Sequence, residues 1–281
     1  MRNTFVYFAR RLKSFFQRCE MRLRPNVTVY PHRLVFVAGL PKSGTTWLQN
    51  LMLAVPAYRR LACYDPRNLL FEHVLDPALV EHLPVQGNFF IKTHVEARPE
   101  GVEALCRFGV PTVIMVRDLR DQCVSRFYHV LNDPAHRHHN YYKNGERAEV
   151  FSHCLDIAVH EYAGWIRGWL AELRKNSSLF MLVRYEDLRM DVKGQFSRAL
   201  EHFDIALAEE QIDAIIAGVS AQARQGADLA SRLKSGKSTL RAGRVGDWRK
   251  HFSKSDVEYF KSVANDVLVS LGYEHDDQWQ V

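Results

Sequence analysis

The chain has 281 residues, 47% of them hydrophobic and 25% charged, which is enough apolar material for one large α/β domain. Residues 1–24 hold seven basic residues and one acidic residue, which accounts for the whole net charge of +6, and the balanced remainder disfavours a general nucleic-acid-binding surface. Five scattered cysteines without a C-x-x-C pair predict neither a disulfide framework nor a zinc site, and they favour a reducing compartment.

A basic amphipathic segment occupies residues 1–26, ahead of a domain predicted over residues 27–281. Apolar side chains recur in residues 1–24 at helical spacing with basic ones among them, a pattern typical of a helix lying on an anionic membrane surface. A helix packed on its own domain, or on the second subunit of a homodimer, explains the pattern equally well. The apolar run 5–9 is too short to span a bilayer or to form a signal-peptide core. We therefore expect a cytoplasmic protein that is either unattached or bound peripherally to a membrane surface.

Apolar runs and helical patterns alternate along the rest of the chain. Four runs predict buried parallel strands, at Leu34–Ala38, Asn88–Thr93, Thr112–Val116 and Leu179–Arg184. Helical patterns cover Thr45–Val55, Glu100–Phe108, Arg120–Leu131, Val150–Arg174 and Lys193–Phe203. This alternation predicts a single α/β domain with a central parallel sheet flanked by helices on both faces.

Two further predictions concern the C-terminal third of the chain. Ser255 and Glu258 predict a capping box for a helix that ends near Leu271. The stretch Gln222–Gly246 is rich in Gly, Ser, Lys and Arg, which predicts a long surface loop over the functional site.

A phosphate-binding loop is predicted between the first strand and the first helix. Residues 34–48 combine an apolar strand, a Gly/Pro turn and hydroxyls that open a helix, whose N-terminal N–H groups attract anions. The Walker A pattern needs a lysine directly after its last glycine, but Thr45 follows Gly44 here and the lysine is Lys42. The loop therefore predicts a P-loop-like fold that binds a phosphate-like group, and it disfavours ATP and GTP.

A second anion site is predicted at the end of the third strand. Arg117 ends that strand and Ser125 lies on the helix that follows, so a guanidinium and a hydroxyl converge in a way that suits a phosphate. Arg117 could instead form a structural ion pair with Asp118 or Asp121.

His94 closes the second predicted strand, two residues after Lys92, and Tyr185 follows the fourth. All three lie at the edge where parallel sheets bind ligands. A histidine there can take a proton from an acceptor hydroxyl, although a lone strand-end histidine is more often structural. The neighbouring lysine and the ligand-binding edge favour the catalytic interpretation.

Four separated motifs occur in a fixed order along residues 34–252. They are Pro41-Lys-Ser-Gly-Thr-Thr-Trp47, Lys92-Thr-His94, Val116-Arg…Ser125 and Arg241-x-Gly-x-x-Gly-Asp-Trp248. Together they resemble the sulfotransferases that use 3′-phosphoadenosine 5′-phosphosulfate (PAPS). The resemblance implies sulfuryl transfer from PAPS to an acceptor hydroxyl, with PAP as the desulfated product. Lysines can supply the positive charge that this transfer needs, so no metal is expected.

The resemblance also implies a role for each motif residue. The 5′-phosphosulfate would be held by Lys42, by the backbone of Ser43, Gly44 and Trp47, and by Thr45 and Thr46. The 3′-phosphate would be held by Arg117, Ser125, Arg241 and Gly243. Adenine would contact Trp47, Tyr185 and the hydroxyl of Ser220. Lys42 and Lys92 would stabilise charge at the transferring group, and His94 would deprotonate the acceptor.

The acceptor side is predicted at Asn132–Glu146, a segment that contains His136, His138, His139, Tyr141 and Tyr142. An exposed loop is the favoured interpretation, and a metal site formed by its histidines is the alternative. The expected acceptor is a carbohydrate, a glycolipid or another small hydroxylated molecule.

Two other functions fit part of the sequence. A P-loop kinase or other nucleotide phosphotransferase is suggested by Val113–Asp118, which resembles a Walker B strand, but Lys42 is misplaced for it. A non-catalytic, membrane-associated nucleotide-binding protein would not need His94 and Lys92.

Overall fold

The computed structural model describes residues 30–61, 75–81, 83, 87–232 and 244–281. The predicted amphipathic segment 1–26 lies outside the described residues. The motif residues Arg241 and Gly243 also lie outside them.

A five-stranded sheet runs through the centre of the fold. Its strands are β1 (Leu34–Gly39), β2 (Tyr58–Arg60), β3 (Asn88–Thr93), β4 (Thr112–Val116) and β5 (Phe180–Arg184). The strand order is β2-β3-β1-β4-β5, and all four neighbouring pairs are parallel. The chain completes β2 and β3 on one side of β1 before it crosses to β4 and β5 on the other. The strand order therefore reverses at the carboxyl end of β1, where open sheets bind ligands.

Helices cover both faces of the sheet. They are α1 (Thr45–Ala54), α2 (Pro77–Glu81), α3 (Pro99–Arg107), α4 (Leu119–Asn132), α5 (His139–Asn144), α6 (Arg147–Asp156), α7 (Ala163–Lys175), α8 (Tyr185–Met190), α9 (Val192–His202), α10 (Glu209–Arg232) and α11 (Lys254–Ser270). A π-helical turn, Ile157–Tyr162, joins α6 to α7, and a 3₁₀ turn spans Asp247–Lys250. Within the described ranges, no helix is long and apolar enough to span a bilayer.

The core lies in two layers, one on each face of the sheet. Phe36 and Ala38 of β1 pack with α3, α4, α6, α7 and α11, whereas Val35 and Val37 pack with α1, α9 and α10. Successive side chains of a strand point to opposite faces, and both faces are covered, so all six residues of β1 are buried. The predicted parallel sheet with helices on both faces is confirmed.

The last helix begins two residues earlier than predicted. Ser253, rather than Ser255, is its N-cap: the Ser253 hydroxyl accepts the Asp256 N–H at 3.2 Å, and the Asp256 carboxylate accepts the Ser253 N–H at 2.8 Å. Asp256 therefore takes the position in the capping box that the sequence pattern gave to Glu258.

The predicted loop Gln222–Gly246 is helical in its first part. Helix α10 continues to Arg232, and residues 222–232 contain three alanines against a single glycine, a composition that favours a helix. Residues 233–243 of the predicted loop lie outside the described residues.

Candidate active site

The turn after β1, which we call the cradle (residues 40–47), has the backbone geometry of an anion site. Two hydrogen bonds from Ser43 stabilise the first turn of the cradle. The Ser43 hydroxyl donates to the Leu40 carbonyl at 2.7 Å, and the Ser43 N–H donates to the same oxygen at 3.2 Å. Gly44 is the N-cap of α1 with φ of 89°, and it has no side chain to accept the first N–H groups of the helix. These groups carry the positive end of the helix dipole toward the cradle.

Gly44 is required by space as well as by its backbone angle. A Cβ atom at this position would lie 2.6 Å from Cδ2 of Tyr185 and 2.9 Å from Cε of Met115. The cradle is thus packed directly against the residue that follows β5.

Lys42 occupies the left-handed region with φ of 71°, an unfavourable conformation for a residue with a side chain. Its carbonyl accepts a hydrogen bond from Arg117 Nη1 at 3.4 Å. Burial, and then the positive charge of Arg117, lower the pKa of the Lys42 ammonium. Because the charge of Arg117 acts on the Lys42 ammonium, an anion that contacts both groups would be favoured here.

Arg117 lies just past β4, with 7% of its surface exposed. Its Nη2 donates to the Arg244 carbonyl at 3.1 Å, and its guanidinium lies 4.5 Å from the ring centroid of Tyr185. Its buried Nε has no hydrogen-bond partner in the described part of the chain. An anionic ligand would satisfy this donor, and a 3′-phosphate contact at Arg117 stays a prediction.

The alternative role of Arg117, a structural ion pair with Asp118 or Asp121, is supported only by one long contact. The Arg117 Nη2 to Asp121 Oδ2 distance is 4.0 Å, and Asp118 instead binds Arg120, with an Nη2 to Oδ2 distance of 2.7 Å. Asp121 accepts the backbone N–H groups of Gly246 at 2.7 Å and Trp248 at 3.0 Å. Burial, followed by the charge of Asp118, raises the pKa of the Asp121 carboxyl.

Sequence reasoning considered Asp121 only as an ion-pair partner of Arg117, but its carboxylate binds the backbone at 246–248. Its two hydrogen bonds fix the chain at 246–248, immediately after the predicted loop residues Arg241 and Gly243. The Arg244 carbonyl bonded to Arg117 fixes the same stretch. The described end of this loop therefore lies beside Arg117, as the motif order requires.

His94 follows β3 and faces the turn after β1. Its Nδ1 is hydrogen-bonded to the Gly39 carbonyl, and because a carbonyl can only accept, Nδ1 bears the proton. The neutral ring then carries its lone pair on Nε2, the form that a general base needs. Trp165 Nε1 donates to the carbonyls of Val95 at 2.7 Å and His94 at 3.2 Å, which fixes the backbone here. Lys92 lies two residues earlier, half-buried in β3.

The predicted adenine residues lie on the other side of the cradle. The ring centroids of Trp47 and Tyr185 are 6.3 Å apart, at 66° to each other. Ser220 is half-buried on α10, next to Val219, which packs in the same core layer as Leu48 of α1. Ser125 is half-buried on α4, one turn beyond Gln122, whose Nε2 donates to the Pro41 carbonyl at 2.7 Å.

The segment 132–146 is only partly the exposed loop that was predicted. Tyr141 is 40% exposed, but helix α5 forms within the segment and Tyr142 is 2% exposed, with its ring centroid 5.8 Å from that of Phe127. Tyr142 is therefore a core residue, drawn inward by an aromatic partner that is 15 residues away in sequence. Among the residues described, no group of three or more His, Cys, Asp or Glu side chains is arranged to hold a metal ion.

Residues 32–272 match the family model of the sulfotransferase domain. The chain belongs to this family. Mouse Sulfotransferase 2A6 is 23% identical over 262 residues, which cover 84% of this chain and 85% of that protein. Cytosolic sulfotransferase 10 of Arabidopsis thaliana is 24% identical over 272 residues, which cover 85% of this chain and 79% of that protein.

Solved structures of sulfotransferases share the fold. Mouse sulfotransferase SULT7A1, complexed with PAP, superposes with a TM-score of 0.62 at 17% identity, covering 85% of each chain. Retinol dehydratase, in complex with androsterone and PAP, superposes with a TM-score of 0.57 at 19% identity, covering 86% of this chain and 82% of that one. These likenesses confirm the P-loop-like fold, and the family match confirms the predicted class of PAPS-dependent sulfotransferases. The phosphotransferase and non-catalytic alternatives are thereby disfavoured.

Proposed function

We propose that this sulfotransferase binds PAPS across the carboxyl ends of β1 and β4, with the 5′-phosphosulfate in the cradle and the 3′-phosphate beside Arg117. The observation that carries the proposal is the contact between the two predicted anion sites, where Arg117 donates to the Lys42 carbonyl. Burial, and then the charge of Arg117, lower the pKa of the Lys42 ammonium there. Arg117 also keeps a buried Nε–H without a partner among the described residues. An anion-binding cradle and an adjacent arginine with spare donors fit a ligand with two separate anionic groups.

At the 5′ end, the proposed ligands are Lys42 and the first turn of α1. The first N–H groups of a helix lack acceptors four residues earlier. Here the Trp47 N–H donates to the Gly44 carbonyl at 2.8 Å, so the N–H groups of Thr45 and Thr46 and the two hydroxyls of the same turn are the proposed donors. The binding residues are Lys42, Ser43, Gly44, Thr45, Thr46 and Trp47.

At the 3′ end, we propose that Arg117 and Ser125 act together with Arg241 and Gly243 of the loop before Arg244. The hydrogen bonds from Arg117 to Arg244 and from Gly246 to Asp121 support this arrangement. Adenine would lie against Trp47, with Tyr185 and Ser220 at its edges.

When bound, PAPS supplies a sulfuryl group whose bond to the bridging phosphate oxygen breaks as the acceptor oxygen forms its bond to sulfur. His94 Nε2 accepts the proton of the acceptor hydroxyl, and such a base is typically worth about 10²–10⁴ in rate. Lys42 and Lys92 hold positive charge where negative charge develops on the leaving and transferred oxygens. The Gly39 carbonyl holds His94 in the tautomer that can accept this proton.

For the acceptor, we propose a small hydroxylated molecule, a carbohydrate or a glycolipid. Androsterone bound to one structural neighbour supports a small hydroxyl-bearing compound as a class. We further propose that residues 27–281 form the catalytic domain. We also propose that the enzyme works in the cytoplasm, like its relative named cytosolic sulfotransferase 10, and that residues 1–24 attach it to an anionic membrane surface there.

The decisive experiment measures transfer from labelled PAPS to a panel of phenols, sterols, oligosaccharides and glycolipids, with EDTA present because no metal is expected. His94→Ala should lose transfer by about 10²–10⁴-fold and keep its affinity for PAP, since the histidine acts on the acceptor. His275→Ala, which removes an exposed histidine, is the matched control. Undiminished turnover in His94→Ala would show that another group is the base, and failure of the wild-type protein to bind PAP would overturn the proposed donor.

A further inference from the structure

One face of α4 continues from the cradle as a row of cationic and imidazole side chains. Gln122 Nε2 donates to the Pro41 carbonyl, so this face of the helix contacts the cradle. Arg126 and His129 follow four and seven residues later, which puts them on the same face. Burial, and then the positive charge of Lys42, lower the pKa of His129.

The same face reaches the element that fixes His94. The Arg126 guanidinium lies 5.9 Å from the ring centroid of Tyr162, in the π-helical turn. Tyr162 is three residues before Trp165, whose indole N–H donates to the His94 carbonyl at 3.2 Å. Through Gln122 and Arg126, this face of α4 thus contacts both the cradle and the segment next to the helix that holds His94. Ser125, a proposed 3′-phosphate residue, directly precedes Arg126 but points in a different direction from α4, because successive residues of a helix are about 100° apart. We assign Arg126 to the acceptor side because its guanidinium contacts the segment next to the helix that holds His94.

His136 adds a hydrogen-bond donor to this row. Its ring centroid is 5.9 Å from that of His129, and its Nδ1 accepts the backbone N–H of His138 at 3.2 Å. The proton of the neutral ring is therefore on Nε2. Burial, and then the charge of Arg126, lower the pKa of His136 to about 4, so the ring is neutral near pH 7. We refer to Arg126, His129 and His136 as the acceptor-side cluster.

The acceptor-side cluster has unused binding capacity. The Nε of Arg126 is buried and has no hydrogen-bond partner in the described ranges. The nearby carboxylates are Glu161, which is exposed, and Asp133, which already accepts the Ala135 N–H at 3.0 Å. A buried donor on a permanent cation is best satisfied by an anionic oxygen.

Resting on the function proposed above, we propose that the acceptor carries an anionic oxygen group, such as a carboxylate, phosphate or sulfate, near the hydroxyl that is sulfated, and that the acceptor-side cluster binds it. Arg126 supplies a permanent charge and a planar fork of donors, and the two histidines supply N–H donors. A neutral acceptor would leave the buried Nε–H of Arg126 unpaired, so acidic acceptors should be selected over neutral ones.

The test uses three phenols of similar size that differ in charge: 3-(4-hydroxyphenyl)propionate, 4-propylphenol and tyramine. Their dissociation constants are measured by calorimetry on the full chain, with and without PAP. The wild-type protein should bind the anion about tenfold more tightly than the neutral phenol, and tyramine most weakly. Arg126→Gln should abolish this preference and Arg126→Lys should retain part of it, because lysine keeps the charge but not the fork.

Arg107→Gln is the matched control, since it removes an exposed arginine at the end of α3, at the opposite edge of the sheet. Equal affinity for the anionic and neutral phenols in the wild-type protein would overturn the inference, as would an undiminished preference in Arg126→Gln. If Arg126→Gln does not fold, as judged by circular dichroism, His129→Gln provides the second test, and an unchanged preference there would also count against the cluster. Charge preference is measured without PAP as well. A protein that prefers the anionic phenol but does not bind PAP would contradict only the proposed donor, whereas one that binds PAP without this preference would contradict only the proposed acceptor class.

Discussion

Substituting Gly44 by alanine tests whether the cradle is held rigid by its packing. The new Cβ would lie 2.6 Å from the Tyr185 ring and 2.9 Å from Met115 Cε, on a backbone with φ of 89°. The left-handed backbone costs about 1–2 kcal/mol for a residue with a Cβ, and overpacking of a core contact costs about 1–3 kcal/mol. We therefore expect a loss of about 2–5 kcal/mol in the free energy of unfolding, a large fraction of the roughly 5–15 kcal/mol that stabilises a typical domain.

Gly109→Ala separates the two contributions to this loss. Gly109 also has positive φ, at 58°, but a Cβ there would meet no atom within 4 Å, so only the backbone cost of about 1–2 kcal/mol applies. Both variants are unfolded in urea and followed by far-UV circular dichroism, and PAP affinity is measured in parallel. Gly44→Ala should be the less stable by about 1–3 kcal/mol and should alone lose PAP affinity, because Tyr185 is displaced. Equal stability of the two variants would refute the argument that the cradle is rigidly packed against Tyr185.

Two further predictions concern Lys42 and residues 1–24. Burial and Arg117 lower the pKa of Lys42 in the free protein, and a bound phosphate should raise it again, so PAP binding at alkaline pH should take up protons. Calorimetry in buffers of different ionisation enthalpy measures this proton uptake. The uptake should be lost in Lys42→Met, and equal uptake in that variant would show that another group takes up the proton. Sedimentation with anionic and neutral liposomes should show binding of the full chain to anionic vesicles only. Equal binding after removal of residues 1–24 would remove the proposed membrane contact.

The sequence predicted most of the sheet because a strand buried on both faces must be apolar throughout. β1, β3 and β4 fall on the three apolar runs in the first half of the chain, within one residue of their predicted bounds. β2 was not predicted, since it is a three-residue edge strand, Tyr58–Arg60, in which two of the residues are arginines. The break in the predicted helix Val150–Arg174 at the π-helical turn was also not predicted, because hydrophobic spacing does not report a change in hydrogen-bond pattern.

The motif Val116–Asp121 shows where sequence reasoning about the site reaches its limit. It contains two arginines, and no local pattern decides which of them is the better candidate for binding a ligand. Arg120 is 2% exposed, pairs with Asp118 and Glu274, and lies 4.2 Å from the ring centroid of Trp248. Two of these three partners are more than 120 residues away in sequence.

The C-terminal segment therefore separates the roles of the two arginines. By binding Arg120, Glu274 and Trp248 help to hold the Asp118 carboxylate away from Arg117. A buried arginine whose ion pair, here with Asp121, is as long as 4.0 Å can still bind a phosphate. Asp121, one residue after Arg120, binds the N–H groups of Gly246 and Trp248 and so holds the end of the predicted phosphate loop beside Arg117. A segment that looks purely structural in sequence thus supports Arg117, the proposed ligand-binding arginine. It binds Arg120, the partner of Asp118, and it supplies the N–H groups that Asp121 accepts beside Arg117.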